Sequence, residues 1–400
     1  MRISTSMLND IALNGIESDQ SALSKTENEL STGLSINSPS DNPAGEVQLL
    51  QLTAATTQLT QYTSNGQSAT SSLDLEENAL SSATTTLQSV QSLVTEANSG
   101  SENSSNLQAI ATEIQQLGQQ LMGTANSTNG SGEYLFAGYS VNTQPFARGS
   151  TGSVVYNGDS GVRSVQVNSD TSVQVGDSGS SVFMNVPTGN GTFTTSASST
   201  NTGTGVVDAG SVTDAAAWTP GTYTVSFTDA TDYKVTDGGG NVVGSGTYDP
   251  SNGGSIQFNG VQVGITGAPA AGDTFSVAPS GTSSVFDTLD HLVSALNTAG
   301  SSSASKAQLS STLASGLQQI GNALQQVSNV NTAVGSRISL ISSVNTSLSS
   351  ESTTLTTETT NLDGLDYAAA SSQYSQQYVA LQAAEQSYAA IGNLSLFKYL

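Results

Sequence analysis

His291 is the only histidine in the chain, and there is no cysteine. Residue count alone therefore excludes a two-histidine metal site, an HExxH zinc site, a thiolate site and a Cys–His pair. A Ser-His-Asp triad would have to use His291, and no serine sits in a GxSxG elbow. His291 lies beside Leu292 on a short amphipathic segment, which reads as a surface histidine. Carboxylate pairs occur at Glu76-Glu77 and at Asp229 with Asp232. Solvated helix faces and turns account for them, and nothing nearby suggests a sugar cleft. Glycine is abundant without any GxxxxGK[ST] loop, and it clusters with turn residues. The sequence carries no credible active site, and neither a metal nor a cofactor is expected.

What remains is a pair of charges in an unusual place. Arg337 is the one basic residue between Lys306 and Lys398, and it falls on a heptad stripe. Glu76 falls on another. Arg337 could simply snorkel its charge to the surface. The sharper expectation is a core ion pair in which Arg337 meets Glu76, or a neighbouring acid, and fixes helix register.

The stripes themselves dominate the chain. Leu52, Leu59, Gly66, Leu73, Leu80, Leu87 and Val94 recur every seven residues, with Ala55, Tyr62, Ala69, Glu76, Ala83, Val90 and Ala97 as the second line. Near the other end, Leu313, Ile320, Val327, Val334, Ile341, Leu348 and Leu355 repeat the pattern. A seam this narrow needs a partner helix. Two matching stripes far apart in sequence predict a helical coiled-coil rod built from both terminal segments. Its core positions are Leu59, Leu73, Leu80, Leu87, Ile320, Val327, Val334, Ile341 and Leu348.

Flanking helices are expected at both ends. A first helix, from about Ser4 to Leu34, is interrupted on its apolar face by Gln20 and Glu27 and should be marginal alone. Asn42 as N-cap with Pro43 at the first helical position starts the long helix to about Ala97. Leu107, Ile110, Ile114, Leu117 and Leu121 mark a third helix. Tyr134 to Tyr139 reads as a strand or hairpin, within a hairpin region near 133–146. After Ser283 the helical signal resumes, first in a short helix around Leu289 and Leu292, then in the long one from Leu309. A last helix from about Leu365 places Tyr367, Tyr374, Leu381 and Tyr388 seven apart.

Between the helical ends, residues 141–282 are rich in Gly, Ser, Thr and Val and alternate with period two. Thr222 to Phe227 is a clear alternating run. Ile256-Gln257-Phe258 and Val261-Gln262-Val263 flank Asn259-Gly260, a type I′ hairpin signal. This is an inserted all-β domain, whose Trp218, Tyr223, Phe227 and Tyr233 read as core. Thr188–Thr204 is of low complexity and reads as a loop. The fold class is α+β multidomain: terminal axial helices at 1–42 with 361–400, a rod at 43–140 with 283–360, and the insert at 141–282.

Eight basic against 31 acidic residues give a net charge of −23 over 400 residues. Such a chain repels phosphate backbones and anionic membrane surfaces, which argues against nucleic-acid partners. The first residues, Met1 to Met7, lack the apolar core of a cleavable signal peptide. No run approaches the length of a transmembrane helix, so no membrane insertion is expected.

Several stretches carry a resemblance. They are Met1-Arg2-Ile3-Ser4-Thr5, and Leu30-Ser31-Thr32-Gly33 through Ile36-Asn37-Ser38-Pro39-Ser40-Asp41-Asn42-Pro43. Gly132 to Tyr139, Thr143-Gln144-Pro145-Phe146 and the ending Leu394-Ser395-Leu396-Phe397 complete them. The chain resembles the hook-associated protein 3 family, flagellin-like proteins at the junction between hook and filament of the bacterial flagellum. Leu34-Ser35 stands where that family usually has a basic pair.

The resemblance implies a structural, non-enzymatic subunit, exported through the flagellar type III channel without a cleaved signal and located outside the cell. Its implied partners are copies of itself, the other junction protein, flagellin, and a cytoplasmic export chaperone at the C-terminal helix. Stripes and family position together nominate an assembly interface. On the N-terminal side it comprises Ile3, Met7, Ile11, Ile16, Leu23 and Leu30. On the C-terminal side it comprises Tyr374, Leu381, Tyr388, Ile391, Leu394, Leu396 and Phe397. A flagellin-like filament subunit, or a surface adhesin with a ligand-binding β domain, is the competing class.

Overall fold

The computed structural model describes residues 5–100, 102–150 and 152–393. Six helices account for both ends: α1 (Thr5–Thr32), α2 (Pro43–Ala97), α3 (Ser104–Ala125), α4 (Val285–Asn297), α5 (Ser303–Asp363) and α6 (Tyr367–Asn393). Helix α2 starts where the sequence signals it: the Asn42 side chain accepts from the Gly45 N–H at 3.0 Å, with Pro43 in the first turn. Helices α3 and α4 have the same type of start, capped by the Asn103 and Ser284 side chains.

Internal contacts divide the chain into two units, Met1–Ser64 with Val344–Leu400, and Asn65–Ser343. The divisions fall inside α2 and α5, whereas the sequence boundaries lie at the turns near residues 42 and 360. A helix that continues through a boundary leaves no composition shift to read.

In the first unit, α1 packs against α6. In the second, Gly66, Ala69, Leu73, Glu76, Leu80, Ala83, Leu87, Val90, Val94 and Ala97 of α2 are all buried. So are Leu313, Ile320, Val327 and Val334 of α5. The Ser310 hydroxyl and Asn98 side chain meet at 2.9 Å, joining the C-terminal end of α2 to the N-terminal part of α5. Helices α3 and α4 pack together. Below them Phe136, Phe146, Phe183 and Phe286 form an aromatic cluster with ring centroids 5.3 to 6.2 Å apart.

Leu135, Phe136 and Ala137 are buried, Phe136 in this cluster, but the expected strand or hairpin over Tyr134–Tyr139 is absent. One antiparallel bridge, Thr128↔Tyr134, is followed by turns. The turn starts at Leu135 and Phe136, and a second follows in which Gly138 has φ +72°.

The β region begins with two small hairpins, β1 (Phe146–Arg148) with β2 (Val154–Tyr156) and β3 (Ser164–Gln166) with β4 (Ser172–Gln174). Strand β5 (Val186–Pro187) pairs antiparallel with β15 (Thr282–Ser283), so the chain enters and leaves the insert side by side. The insert is a two-layer antiparallel sandwich. One sheet has five strands. In spatial order they are β11 (Val242–Thr247), β10 (Asp232–Thr236), β9 (Tyr223–Phe227), β14 (Thr274–Pro279) and β6 (Phe193–Ala197). In the other, β12 (Gly254–Phe258) pairs with β13 (Val261–Thr266), which pairs in turn with β7 (Val206–Val207) and β8 (Ser211–Val212).

Both layers feed one core. Phe193, Val225, Phe227, Val235 and Phe275 come from the first, and Ile256, Phe258, Val261, Val263 and Ile265 from the second. Phe258 pairs with Val261 across a two-residue loop in which Asn259 and Gly260 have φ of +44° and +75°, the type I′ geometry. Trp218 and Tyr233 pack against this core, as read from the sequence. The stretch Thr188–Thr204, read as a loop, instead contains edge strand β6. Its Phe193 and Thr195 face inward while polar residues face out. Serine and threonine on the solvent face hid the alternation.

Candidate functional site

No group of three or more potential metal-ligating side chains occurs among the described residues. No helix there is long and apolar enough to cross a membrane. His291 is exposed on α4.

The first junction joins the α1–α2 turn to the α5–α6 turn. Gly33 ends α1 at φ +73°, accepting from the Leu365 N–H at 3.2 Å. The Asp363 carbonyl accepts from the Ser35 N–H at 2.7 Å, and its carboxylate from the Ile36 N–H at 2.9 Å. Asp363 is buried, as is Ile36. Asp366 then caps α6 by accepting from the Ala368 and Ala369 N–H groups. On the other side of the turn, Asp41 accepts from the Ser38 N–H at 2.9 Å and pairs with Lys25 at 2.9 Å. The hydrogen bond from Lys25, helped by Ser38, holds the Asp41 carboxyl below its usual range. This latch brings α1 and α6 out of their turns together.

The two helices share a seam. Ile16, Leu23 and Leu30 of α1 are half-buried, and so are Tyr374, Leu381 and Tyr388 of α6. The rings of Tyr374 and Tyr378 stack at 6.4 Å. A two-helix pair covers only one face of each helix. Met7 is 55% exposed, Ile11 57% and Val379 63%, with Leu8, Leu13, Tyr367 and Tyr378 also exposed. These apolar side chains of the α1–α6 pair are left exposed in the single chain. Of the nominated interface residues, Ile3, the Ile391 side chain, Leu394, Leu396 and Phe397 lie outside the described residues.

The nominated core positions Leu59, Leu73, Leu80, Leu87, Ile320, Val327, Val334, Ile341 and Leu348 are all buried. The polar layer in this seam differs from the expected Glu76–Arg337 pair. The Arg337 guanidinium pairs instead with Asp177, on the connection after β4, at 2.7 and 3.2 Å. Glu76 accepts from the Asp177 backbone N–H at 3.0 Å. Burial pushes the Glu76 carboxyl up to about 8, and the Asp177 charge pushes the same way. Two acids competing for one base explain the outcome. Asp177 is less buried and takes the bidentate contact, leaving Glu76 with a backbone donor. Sequence reading missed Asp177 and Asp363. Asp177 sits among Gly176, Ser178 and Gly179, where an aspartate signals a turn, and Asp363 looks like an ordinary helix-end residue.

Matches to known proteins separate the helical ends from the β region. Residues 3–141 match the bacterial flagellin N-terminal helical region, and residues 317–400 the C-terminal helical region. Residues 196–279 match the D2-like domain of flagellar hook-associated protein 1. Flagellar hook-associated protein 3 of Salmonella typhimurium is 27% identical over 186 residues, which cover 46% of this chain and 58% of that relative. The match thus spans under two thirds of that protein's length.

The crystal structure of FlgL from Xanthomonas campestris is 37% identical, with a TM-score of 0.72, covering 76% of this chain and 98% of that one. The hook-associated protein-3 structure from Legionella pneumophila is 31% identical, with a TM-score of 0.74, covering 78% and 98%. With identity above 30% across nearly all of both structures, and flagellin-like helical regions at both ends, this chain belongs to the flagellar hook-associated protein 3 (FlgL) family.

Proposed function

We propose that this chain is a structural subunit of the bacterial flagellum that joins hook to filament. The observation that carries this reading is the latched α1–α6 pair with its uncovered apolar face. One copy cannot bury that face, and a subunit that packs it on neighbours without closing the ring of contacts builds a helical layer. Of the nominated interface residues, Met7 and Ile11 lie on that exposed face, while Ile16, Leu23, Leu30, Tyr374, Leu381 and Tyr388 are half-buried in the seam of the pair that presents it. The family supports the same role: a relative from Legionella pneumophila is described as the flagellar junction protein FlgL.

The subunit packs on copies of itself, on the other hook-associated junction protein and on flagellin. It reaches the outside of the cell through the flagellar export channel. A cytoplasmic chaperone holds its C-terminal helix before export. Residues 1–42 with 361–400 form the inner axial layer and residues 43–140 with 283–360 the rod; of residues 141–282, the sandwich beyond the β5–β15 pair projects outward, and Phe146, Asp177 and Phe183 pack on the helices. The role is non-enzymatic. Its support is a sequence with one histidine and no cysteine, and the family's description as flagellar junction proteins.

Deletion of the gene, followed by electron microscopy of cells and assay of flagellin in the medium, tests this. Hooks without filaments and flagellin lost to the medium are expected. Normal filaments would overturn the reading.

A further inference from the structure

The polar layer of the second unit has an imbalance that its surroundings do not relieve. Glu76 is 1% exposed, yet its Oε2 has no hydrogen-bond partner. Its Oε1 accepts only the Asp177 N–H. Asp177 in turn accepts two hydrogen bonds from Arg337 and one, at 3.0 Å, from the Gln174 side chain. The charged groups facing Glu76 are Asp177, from the connection after β4, and Arg337, from α5. On α2 itself, Asp74 and Glu77 are exposed. With both acids ionised the layer carries one uncompensated negative charge inside an apolar seam. With Glu76 neutral it carries none.

Asp177 also begins the segment that fixes the insert's root. Gly179 donates to the Phe136 carbonyl at 2.8 Å, and Ser181 accepts from Gln326 of α5 at 2.8 Å. The π-helical turn Ser180–Met184 buries Val182 and Phe183 in the aromatic cluster. We propose that Glu76, Asp177 and Arg337 form a proton-operated clasp. While Glu76 is neutral, the clasp holds Gly176–Met184 on the helical seam, and ionisation of Glu76 releases that segment.

The direction follows from linkage. A carboxyl held above its ordinary value binds its proton more tightly in the closed state than in the open one. Closure is therefore firmest in acid. It weakens as pH rises above the ordinary carboxylate range and reaches its floor once pH passes about 8.

Amide hydrogen exchange of the full chain, read over residues 174–184 and corrected for the chemical exchange rate, tests this. Protection in the native sequence is expected to fall by about thirtyfold between pH 6.5 and 9.0. In Glu76→Gln, which keeps the neutral shape, protection is expected to be flat over that range. In Asp177→Asn, Arg337 is left as the nearest charge to Glu76, so Glu76 ionises at lower pH and the step shrinks. An unchanging native profile, or an equal fall in Glu76→Gln, would overturn the clasp. So would failure of Glu76→Gln to fold, because the neutral isostere must fit a site that holds a neutral acid. A full step in Asp177→Asn would remove Asp177 from the device and overturn its three-part form.

Discussion

Single residues decide whether the two terminal helices leave their turns as a pair. Asp363 is the best example, since its carboxylate satisfies a buried N–H on a segment 327 positions away. Asp363→Ala orphans the Ile36 N–H and should cost about 1–3 kcal/mol in denaturant unfolding, whereas Asp363→Asn keeps an acceptor and should cost less. Gly33 is constrained twice over. It sits at φ +73°, and a Cβ there would lie 2.6 Å from the Tyr367 hydroxyl. Gly33→Ala should therefore destabilise by about 1–2 kcal/mol from backbone conformation alone. The Lys25–Asp41 pair works in the opposite pH sense to Glu76. Its carboxyl is held low, so its contribution is present above the ordinary carboxylate range and lost as pH falls through the folded value. Asp41→Asn should remove that acid-side dependence, as read by thermal melting between neutral pH and pH 3.

At the scale of elements, burial separates positions that composition treats alike. Leu80 and Leu75 both lie on α2, yet Leu80 is fully buried and Leu75 is 40% exposed. Leu80→Ala should lose about 2–5 kcal/mol by calorimetry or urea unfolding. Leu75→Ala should stay within about 0.5 kcal/mol. The paired helices invert this test. Ile11→Ser and Val379→Ser change residues that are exposed in the single chain, so stability should hold within about 0.5 kcal/mol. Assembly should nonetheless fail, measured as flagellin lost to the medium from cells that carry the variant.

At the scale of the whole molecule, the inserted β domain joins the second unit at the β5–β15 pair and at hydrogen bonds from Gln308 and Asn322 of α5. Thr188 and Gly281 exchange hydrogen bonds beside the β5–β15 pair, with the Thr188 N–H meeting the Gly281 carbonyl at 3.0 Å. The sandwich beyond them has its own core from both sheets. Replacing residues 189–280 by a short Asn-Gly turn should therefore leave helical circular dichroism close to that predicted from the remaining residues. It should also leave filament assembly intact, which would place the insert outside the joining function. Loss of filaments in that variant would assign the β domain a part in it.

The sequence by itself determined what depends on local rules and periodicity. Heptad spacing specified which faces of α2 and α5 are buried, down to Leu80 and Ile320, because a seven-residue repeat has only one way to form a seam. Asn42-Pro43 and Asn259-Gly260 specified a helix start and a hairpin turn, because caps and positive-φ turns act over two to four residues. Only the tertiary structure decided what depends on long-range competition. Arg337 chose Asp177 over Glu76 because a loop 160 residues away brought a second acid to the same layer. Strand β6 formed from a stretch that reads as loop because β14 supplied its register. Asp363 became a buried fastener because two turns from opposite ends of the chain met there, and no local pattern encodes that meeting.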